Sequence, residues 1–387
     1  MHERFIITVK HIDRQSLWIH SSVVNIGPMI TLIGATGFTG TLIARELKRL
    51  GCPSRLAARD SNKLKKLATE LGSQFDTLEV DVTSDSDIKR ALDGSTVVIN
   101  CAGPFNGLSE PVVREAAHRG VHYLDTTGEQ AFIRYIFEQL DDEARRSGAA
   151  LVPGCAFEYA LGDAAAELSA EGLQPCDEIE IAYAIKGFGT SRGTRQSIAK
   201  GMGSPGFQYS NSALEPTSST PISRVVSFPK SGRRTALSVP FGEAIMVPRH
   251  VTTQNVTTLM VLPIPALLLT AVSSLAGLIL RSPLGGPLIR EAGKGSFGPS
   301  VEDRQKSEFE ILCTAIRGDR QRQVVVTGHD PYGLTATIAA YVASLLHEGN
   351  AQDIGAVSPS MVAGAKGILA ATSAAGVSWT IGEVVTG

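Results

Sequence analysis

Short apolar runs alternate with amphipathic stretches over the first 150 residues of the chain. Strands are predicted from residue 30 and at 54–58, 77–80, 96–100, 121–124 and 149–152. Helices are predicted between them at 39–50, 62–71, 84–92, 110–119 and 129–147. This alternation predicts a Rossmann-type α/β fold, a doubly wound parallel sheet that binds its ligand at the carboxyl ends of the strands.

The pattern changes near residue 155. A helix is predicted at 161–170, strands at 178–185, 309–316 and 323–327, and a long helix at 334–346. Residues 187–234 are rich in Gly, Ser, Thr and Pro, which is typical of loops and short strands. We therefore predict a Rossmann domain over 29–154 and an α+β substrate and dimerisation domain over 155–350. A helical tail over 351–387 is expected to pack back on the first domain.

Two segments do not fit this pattern. Residues 1–28 mix charged and apolar residues and lack the apolar stretch of a signal peptide, so we interpret them as an appended N-terminus or an extra strand. Residues 259–280 are strongly apolar, and no residue from 251 to 280 is charged. A buried or partner-facing helix, a membrane-surface contact and a membrane span are the three interpretations of this segment.

Composition narrows the function classes. The chain has 387 residues, of which 43% are hydrophobic, and a net charge of −2, so its charge does not favour a nucleic-acid partner. Its five cysteines include no C-x-x-C pair, which indicates reduced thiols in a cytoplasmic protein and no metal site. We predict a cytoplasmic protein, with membrane association left open.

A glycine-rich turn follows the first strand. It comprises Gly34, Ala35, Thr36, Gly37, Phe38, Thr39 and Gly40. Gly34 suits a tight turn, Gly37 lets backbone amides approach a pyrophosphate, and Gly40 lets the helix pack closely on the strand. The positive end of the following helix points at the same place. This run predicts a dinucleotide site.

The residue after the second strand distinguishes NADP from NAD. Arg59 occupies this position, where a guanidinium can bind a 2′-phosphate through two hydrogen bonds. The neighbouring Asp60 is expected to cap the next helix. NADP is the predicted cofactor, with NAD less favoured and a surface arginine as the alternative interpretation of Arg59.

Two more loops at the same edge are expected to contact the cofactor. Asp81 and Val82 follow the third strand, near the expected adenine position. The small residues Cys101, Ala102, Gly103 and Pro104 follow the fourth strand, where they let the chain run close to the nicotinamide ribose. Ordinary loop chemistry is the alternative at both places.

Several of these runs resemble a known family. They are residues 34–40, 58–59, 100–105 and 123–129, continued by residues 191–194, 298–300 and 328–332. The chain resembles the saccharopine dehydrogenase-like oxidoreductases over about residues 29–350, and most closely the branch of the mycobacterial trans-acting enoyl reductases. The resemblance implies an NAD(P)-dependent reductase. It weakens at residues 155–163, where the family commonly shows Gly-Phe-Asp-Ser-Ile-Pro-Ser-Asp.

Catalytic groups are harder to identify. The chain has no Tyr-x-x-x-Lys pair, which excludes the mechanism of short-chain dehydrogenases. Asp125, Tyr159 and Arg192 are the predicted catalytic residues. The alternatives are a helix cap at Asp125 completed by Glu129, packing for Tyr159, and a solvated loop for Arg192.

These observations predict an NADP-dependent oxidoreductase that reduces a C=C or C=N bond. Trans-acting enoyl reduction of a lipid or polyketide-type substrate, free or carrier-linked, is one form of this activity. A homodimer and a peripheral membrane contact through residues 259–280 are further expectations. A non-catalytic NADP-binding sensor or membrane-associated scaffold is the alternative function.

Overall fold

The computed structural model describes residues 29–72, 75–202, 206–217, 221–262 and 297–386, without the side chains of residues 199–202. The predicted N-terminal extension, residues 1–28, lies outside the described residues, and so does most of the apolar segment, residues 263–280.

The first sheet is parallel and has seven strands. They are β1 (Met29–Ile33), β2 (Ser54–Ala58), β3 (Phe75–Glu79), β4 (Ser95–Asn100), β5 (His122–Asp125), β6 (Ala150–Val152) and β15 (Gly355–Ala356). Their spatial order is β15-β6-β5-β4-β1-β2-β3, so successive strands are added to one side of β1 as far as β3 and then, from β4 onwards, to its other side. Buried apolar side chains cover both faces of this sheet, as expected for parallel strands.

Helices connect these strands. They are α1 (Phe38–Leu50), α2 (Ser61–Leu71), α3 (Asp85–Leu92), α4 (Glu110–Arg119), α5 (Gln130–Gln139) and α6 (Asp141–Ser147). The last two replace the single helix predicted over 129–147, because Leu140 leaves helical geometry with φ −120° and ψ −7°. The Rossmann-type prediction is confirmed.

The second sheet is mixed. Its strands are β7 (Cys176–Lys186), β8 (Phe207–Ser210), β9 (Ala213–Pro216), β10 (Ser223–Phe228), β11 (Gly232–Ser238), β12 (Thr253–Met260), β13 (Glu308–Arg317), β14 (Arg320–His329), β16 (Ser378–Ile381) and β17 (Val385–Thr386). The main path runs β10-β11-β12-β7-β13-β14-β16, and only β12 and β7 pair in parallel along it. This sheet confirms the predicted second α+β domain.

The remaining helices lie around both sheets. They are α7 (Phe157–Ala170), α8 (Arg192–Met202), α9 (Glu243–Met246), α10 (Val301–Lys306), α11 (Pro331–His347), α12 (Pro359–Ala363) and α13 (Ala365–Ser373). Helix α7, buried almost all round, packs against β13 and β14 of the second sheet. Helix α11 packs against α1 and β4 of the first domain, although the sequence pattern places it in the second.

The C-terminal segment differs from the predicted helical tail. It contains α12 and α13, but β15 extends the first sheet beside β6, and β16 and β17 pair with β14 of the second. A buried ion pair supports this segment: His250 Nε2 lies 2.6 Å from Asp163 Oδ1, and the Ser360 amide donates to Asp163 Oδ2 at 3.0 Å. Strand pairing of the tail was not predicted, because such short strands have no pattern of their own.

The first residues of the apolar segment are in a strand. Leu259 and Met260 end β12 and pair with β7 and β11, so the segment does not begin as a helix. Within the described part of the chain, no helix combines the length and apolar character that crossing a membrane requires.

Candidate functional site

The glycine turn has the geometry of a dinucleotide loop. Gly34 adopts φ +78°, a left-handed conformation that side chains disfavour, and a Cβ there would lie 2.8 Å from the Cys101 carbonyl carbon. A Cβ at Gly40 would collide with the Gly34 carbonyl oxygen. Gly34 therefore makes the turn, and Gly40 lets α1 pack on it.

The first turn of α1 leaves its amides available to a ligand. Gly37 is the N-cap, no side chain caps this end, and no acidic residue lies in the first turn. Because the first amides of a helix have no partner within the helix, they form an anion site with the helix dipole behind it. A pyrophosphate fits this position.

Phe38 connects the glycine turn with the second domain. Its ring meets Tyr332 edge-on at 5.0 Å between centroids, and Phe188 stacks on the other side of Tyr332 at 5.5 Å. Phe188 also packs against Phe157, at 6.4 Å. These four residues, Phe38, Tyr332, Phe188 and Phe157, form an aromatic row from the dinucleotide turn to the start of α7.

A cavity opens beside the aromatic row. It has a volume of about 510 Å³ and is lined by Gly187, Phe188, Gly189, Thr190, Gly298 and Pro299, together with Asp303 and Lys306. Tyr332 fixes one wall, because its hydroxyl accepts a hydrogen bond from the Ser191 amide at 2.8 Å. The cavity offers room for a small molecule next to the glycine turn.

Arg59, which is predicted to bind the 2′-phosphate, is exposed and directly follows β2. Asp60 caps α2 by accepting from the Lys63 amide at 3.0 Å, as predicted. Asp81 accepts hydrogen bonds from the Thr83 amide and hydroxyl, which lower the pKa of its carboxyl, and the nearby Arg59 charge contributes. Arg59 and Asp81 are thus neighbours, while the adjacent Val82 is buried.

The loop after β4 lies against the glycine turn. The Cys101 amide donates to the Ile33 carbonyl at 2.9 Å, and the Ala102 amide donates to Asn100 Oδ1 at 3.0 Å. Burial raises the pKa of the Cys101 thiol to about 12, so this thiol stays neutral. Gly103 is exposed and Pro104 partly buried, which places this loop where a cofactor can reach it.

Glu129 anchors the same loop. Its carboxylate accepts from the Phe105 amide at 2.8 Å, from the Asn106 amide at 3.0 Å and from the Ser197 hydroxyl at 2.9 Å. Glu129 therefore connects the loop after β4 to α8 of the second domain. The capping role suggested for Glu129 by sequence is wrong, because its side chain makes no cap on α5.

Asp125 is fully buried at the end of β5. Its Oδ1 accepts from the Thr127 and Gly154 amides, both at 2.9 Å, and its Oδ2 has no partner among the described residues. Burial raises the pKa of this carboxyl to about 7. The helix-cap interpretation of Asp125 is wrong, since the two amides belong to loops, and its catalytic role stays a prediction.

Tyr159 points into the protein. Its side chain is buried, its hydroxyl donates to the Gly128 carbonyl at 3.2 Å, and its ring packs edge-on against Phe241. Burial raises the pKa of this phenol well above 10. The contacts agree with the packing interpretation, and proton donation by Tyr159 stays a prediction.

Arg192 lies two residues after Thr190, which lines the cavity. It is the first residue of α8, its side chain is exposed, and its amide donates to the Phe297 carbonyl at 3.2 Å. Its position between the two segments that line the cavity agrees with a contact to an acidic substrate, which stays a prediction.

Two further glutamates, Glu158 at the start of α7 and Glu243 on α9, have carboxyl groups with raised pKa values. Burial raises the pKa of the Glu158 carboxyl to about 7 and that of Glu243 to about 8. Glu243 is fully buried and makes a short hydrogen bond with the Tyr183 hydroxyl. No sequence signal brings Glu243 to Tyr183, because 60 residues separate the two and their contact forms only in the folded domain.

Comparison with known proteins shows which family the first domain resembles. Residues 30–171 match the model of the saccharopine dehydrogenase NADP binding domain. The matched range covers nearly all of the first domain and helix α7. The predicted family resemblance and the predicted cofactor, NADP, are thereby confirmed, and the turn at residues 34–40 lies within the matched range.

Relatives support the same assignment. A Mycobacterium tuberculosis protein named as a trans-acting enoyl reductase is 33% identical over 183 residues, covering 44% of this chain and 43% of the relative. A saccharopine dehydrogenase-like oxidoreductase from Arabidopsis thaliana is 30% identical over 143 residues, covering 33% of this chain and 32% of the relative. The match thus spans less than half the length of each relative.

One solved structure matches nearly the whole chain. The apo saccharopine dehydrogenase (L-Glu forming) from Saccharomyces cerevisiae aligns with a TM-score of 0.60 over 92% of this chain and 100% of that chain, at 11% identity. At this identity the similarity concerns the fold, including the second domain.

Proposed function

We propose that this protein is an NADPH-dependent reductase that transfers a hydride to the β-carbon of an enoyl thioester. The observation that carries the proposal is the glycine turn, with its left-handed Gly34 and its uncapped helix end. The names of the mycobacterial relatives support the choice of substrate.

The residues present fit the cofactor. The amides at the start of α1 suit the pyrophosphate, Arg59 suits the 2′-phosphate, and the small residues of the loop after β4 suit the nicotinamide ribose. Bound NADPH would supply the hydride. The chain would hold the reacting double bond in the cavity, where aromatic side chains limit access of water.

A product screen tests this proposal. The purified protein is incubated with NADPH and either trans-2-enoyl N-acetylcysteamine thioesters or pairs of an amino acid and a keto acid. Saturated thioester is the expected product, with NADPH preferred over NADH. Turnover of the amino acid and keto acid pairs alone would replace C=C reduction by C=N reduction.

The alternative function, a non-catalytic NADP-binding sensor or scaffold, draws support from one observation. Both Asp125 and Tyr159 are buried and hydrogen-bonded to the backbone of neighbouring loops. Tight NADPH binding without turnover of any substrate in the screen would favour this alternative.

A further inference from the structure

Glu158 differs from the other acidic residues at the carboxyl edge of the first sheet, because no described partner occupies its carboxylate. It is the second residue of α7, which follows β6 after a short turn. Asp125 and Glu129 at the same edge bind backbone amides, whereas only its own amide contacts the Glu158 carboxylate. We propose that Glu158 is the general acid of the reduction. This inference rests on the proposed function.

Position is the first argument. Glu158 follows Phe157, the last member of the aromatic row that begins at Phe38 in the dinucleotide turn. Phe188, which contacts Phe157, also lines the cavity. The Glu158 side chain is partly buried, so it retains some contact with solvent. Glu158 lies at the carboxyl edge of the first sheet, the edge at which a parallel α/β sheet binds its ligand. A carboxyl group at this edge that contacts solvent can both meet a substrate and regain a proton.

The surroundings keep this carboxyl protonated near neutral pH. Its titratable neighbours are Tyr159 on the same helix, Tyr183 on β7 and Glu243 on α9. Among the described residues, no lysine, arginine or histidine forms an ion pair with it. Burial without a cation raises the pKa of Glu158 to about 7, which suits a proton donor that works near neutrality.

Tyr183 and Glu243 position the donor. The Tyr183 hydroxyl donates to the Glu158 backbone carbonyl at 3.0 Å and also makes the short hydrogen bond with Glu243. Because burial raises the pKa of Glu243 to about 8, its carboxyl is protonated at pH 7 and can donate to Tyr183. The Glu243 carboxyl then donates to the Tyr183 hydroxyl, and the Tyr183 hydroxyl donates to the Glu158 carbonyl. These two hydrogen bonds hold the first turn of α7 in place.

The chain of contacts requires a glycine in α7. A Cβ at Gly162 would overlap the Tyr183 hydroxyl and lie 3.0 Å from Glu243 Oε1. Glycine at this position therefore lets Tyr183 reach the start of α7. Tyr183, Glu243 and Gly162 are positioning residues, since none of them is argued to touch the substrate.

The proton balance of the step is simple. With NADPH bound as the hydride source, the β-carbon would gain a new C–H bond, and the electron pair of the C=C bond would move to the α-carbon as an enolate. The Glu158 carboxyl gives its proton to the α-carbon, which forms the second C–H bond and leaves a carboxylate. A proton from solvent would restore the Glu158 carboxyl, and the saturated thioester and the oxidised cofactor would leave.

Kinetics with a crotonyl N-acetylcysteamine thioester tests the role. Glu158→Gln is expected to lower kcat about 10²- to 10⁴-fold, the usual contribution of general acid catalysis, with the Kd of NADPH unchanged. Wild-type kcat should fall as pH rises above about 7, because the donor loses its proton, and the variant should show no such fall. Glu158→Asp should restore part of the rate and the pH dependence.

Glu167→Gln is the matched control, because Glu167 lies on the same helix and burial raises its pKa too. It should leave kcat within about twofold. Infrared spectroscopy of protonated carboxyl groups gives a second measurement that needs no cofactor. The wild-type signal should include a component that titrates near pH 7, and Glu158→Gln should remove this component.

The outcomes separate the two proposals. Near-normal turnover by Glu158→Gln, with the wild-type pH profile, overturns the role of Glu158 and leaves the reductase intact. Absence of turnover by the wild-type protein with every probe overturns the proposed function and, with it, the donor role.

Discussion

The glycine turn after β1 and the loops after β5 and β6 lie at the same edge of one sheet, but different chemistry builds them. Backbone shape builds the turn, through the left-handed Gly34 and the close approach at Gly40. Buried carboxylates build the other loops: Asp125 binds amides on two segments, and Glu129 binds the Phe105 and Asn106 amides of the loop after β4. An acidic residue at a strand end can therefore be a loop anchor, whatever its sequence position suggests.

The largest loss of stability is expected at the loops after β5 and β6, which the buried Asp125 carboxylate holds together. Asp125→Ala should destabilise the protein by on the order of 3 kcal/mol, because it leaves the buried Thr127 and Gly154 amides without an acceptor. Urea unfolding measures this. Asp125→Asn keeps an acceptor oxygen and should lose much less, so equal losses in both variants would show that the hydrogen bonds are not the cause.

At the glycine turn after β1, an added methyl group should weaken cofactor binding. Gly40→Ala should weaken NADPH binding about 100-fold, close to 3 kcal/mol, because the Cβ displaces the Gly34 carbonyl and the turn with it. Fluorescence titration of NADPH measures the Kd. Gly51→Ala at the other end of α1 is the control: its φ is +72° but no atom lies within 4 Å, so it should reduce stability and spare binding.

The loop after β5 should also differ from the glycine turn in its contribution to the pH dependence of stability. The pKa of Asp125 is about 7 in the folded protein and near 3.8 in an unfolded chain, so the folded state holds the extra proton between these values. Stability should therefore fall as pH rises from 5 to 7, by at most about 1.4 kcal/mol per pH unit for this group. Denaturant titrations of Asp125→Asn should show a shallower fall; an unchanged slope would contradict the assignment.

The smallest effect should come from the exposed Arg59. Arg59→Ala is expected to raise the Kd of NADPH about tenfold and leave that of NADH unchanged, because only NADPH has a 2′-phosphate. Arg49→Ala, which removes an exposed arginine from the last turn of α1, should change neither. An equal effect of Arg59→Ala on both cofactors would exclude a phosphate contact.

The same contrast explains what the sequence could predict. Strand β2 and helix α4 have the predicted bounds, because apolar periodicity and flanking glycines or prolines are local signals. The glycine turn is equally local. The break at Leu140 has no such signal, since neither glycine nor proline stands there and both halves are amphipathic or charged like one surface helix.

Side-chain roles depend on distant partners. Asp125 meets an amide 29 residues away, and Tyr183 meets Glu243 60 residues away. A single sequence shows that acidic residues follow the strands. It does not show which of these carboxylates will accept hydrogen bonds from the backbone amides of a distant loop. This is why the predicted cofactor turn was recognisable, while the free carboxyl at Glu158 became visible only in the folded chain.

The strand pairing of the C-terminal segment affects the order in which the chain folds during synthesis. Strand β15 pairs with β6 about 200 residues earlier, and β16 and β17 complete the edge of the other sheet. Contacts between such distant parts of a chain form late, since the long intervening loop must first be closed. A ribosome would therefore have to synthesise residues 355–386 before β6 and β14 gain these partner strands, which leaves one edge of each sheet open until then.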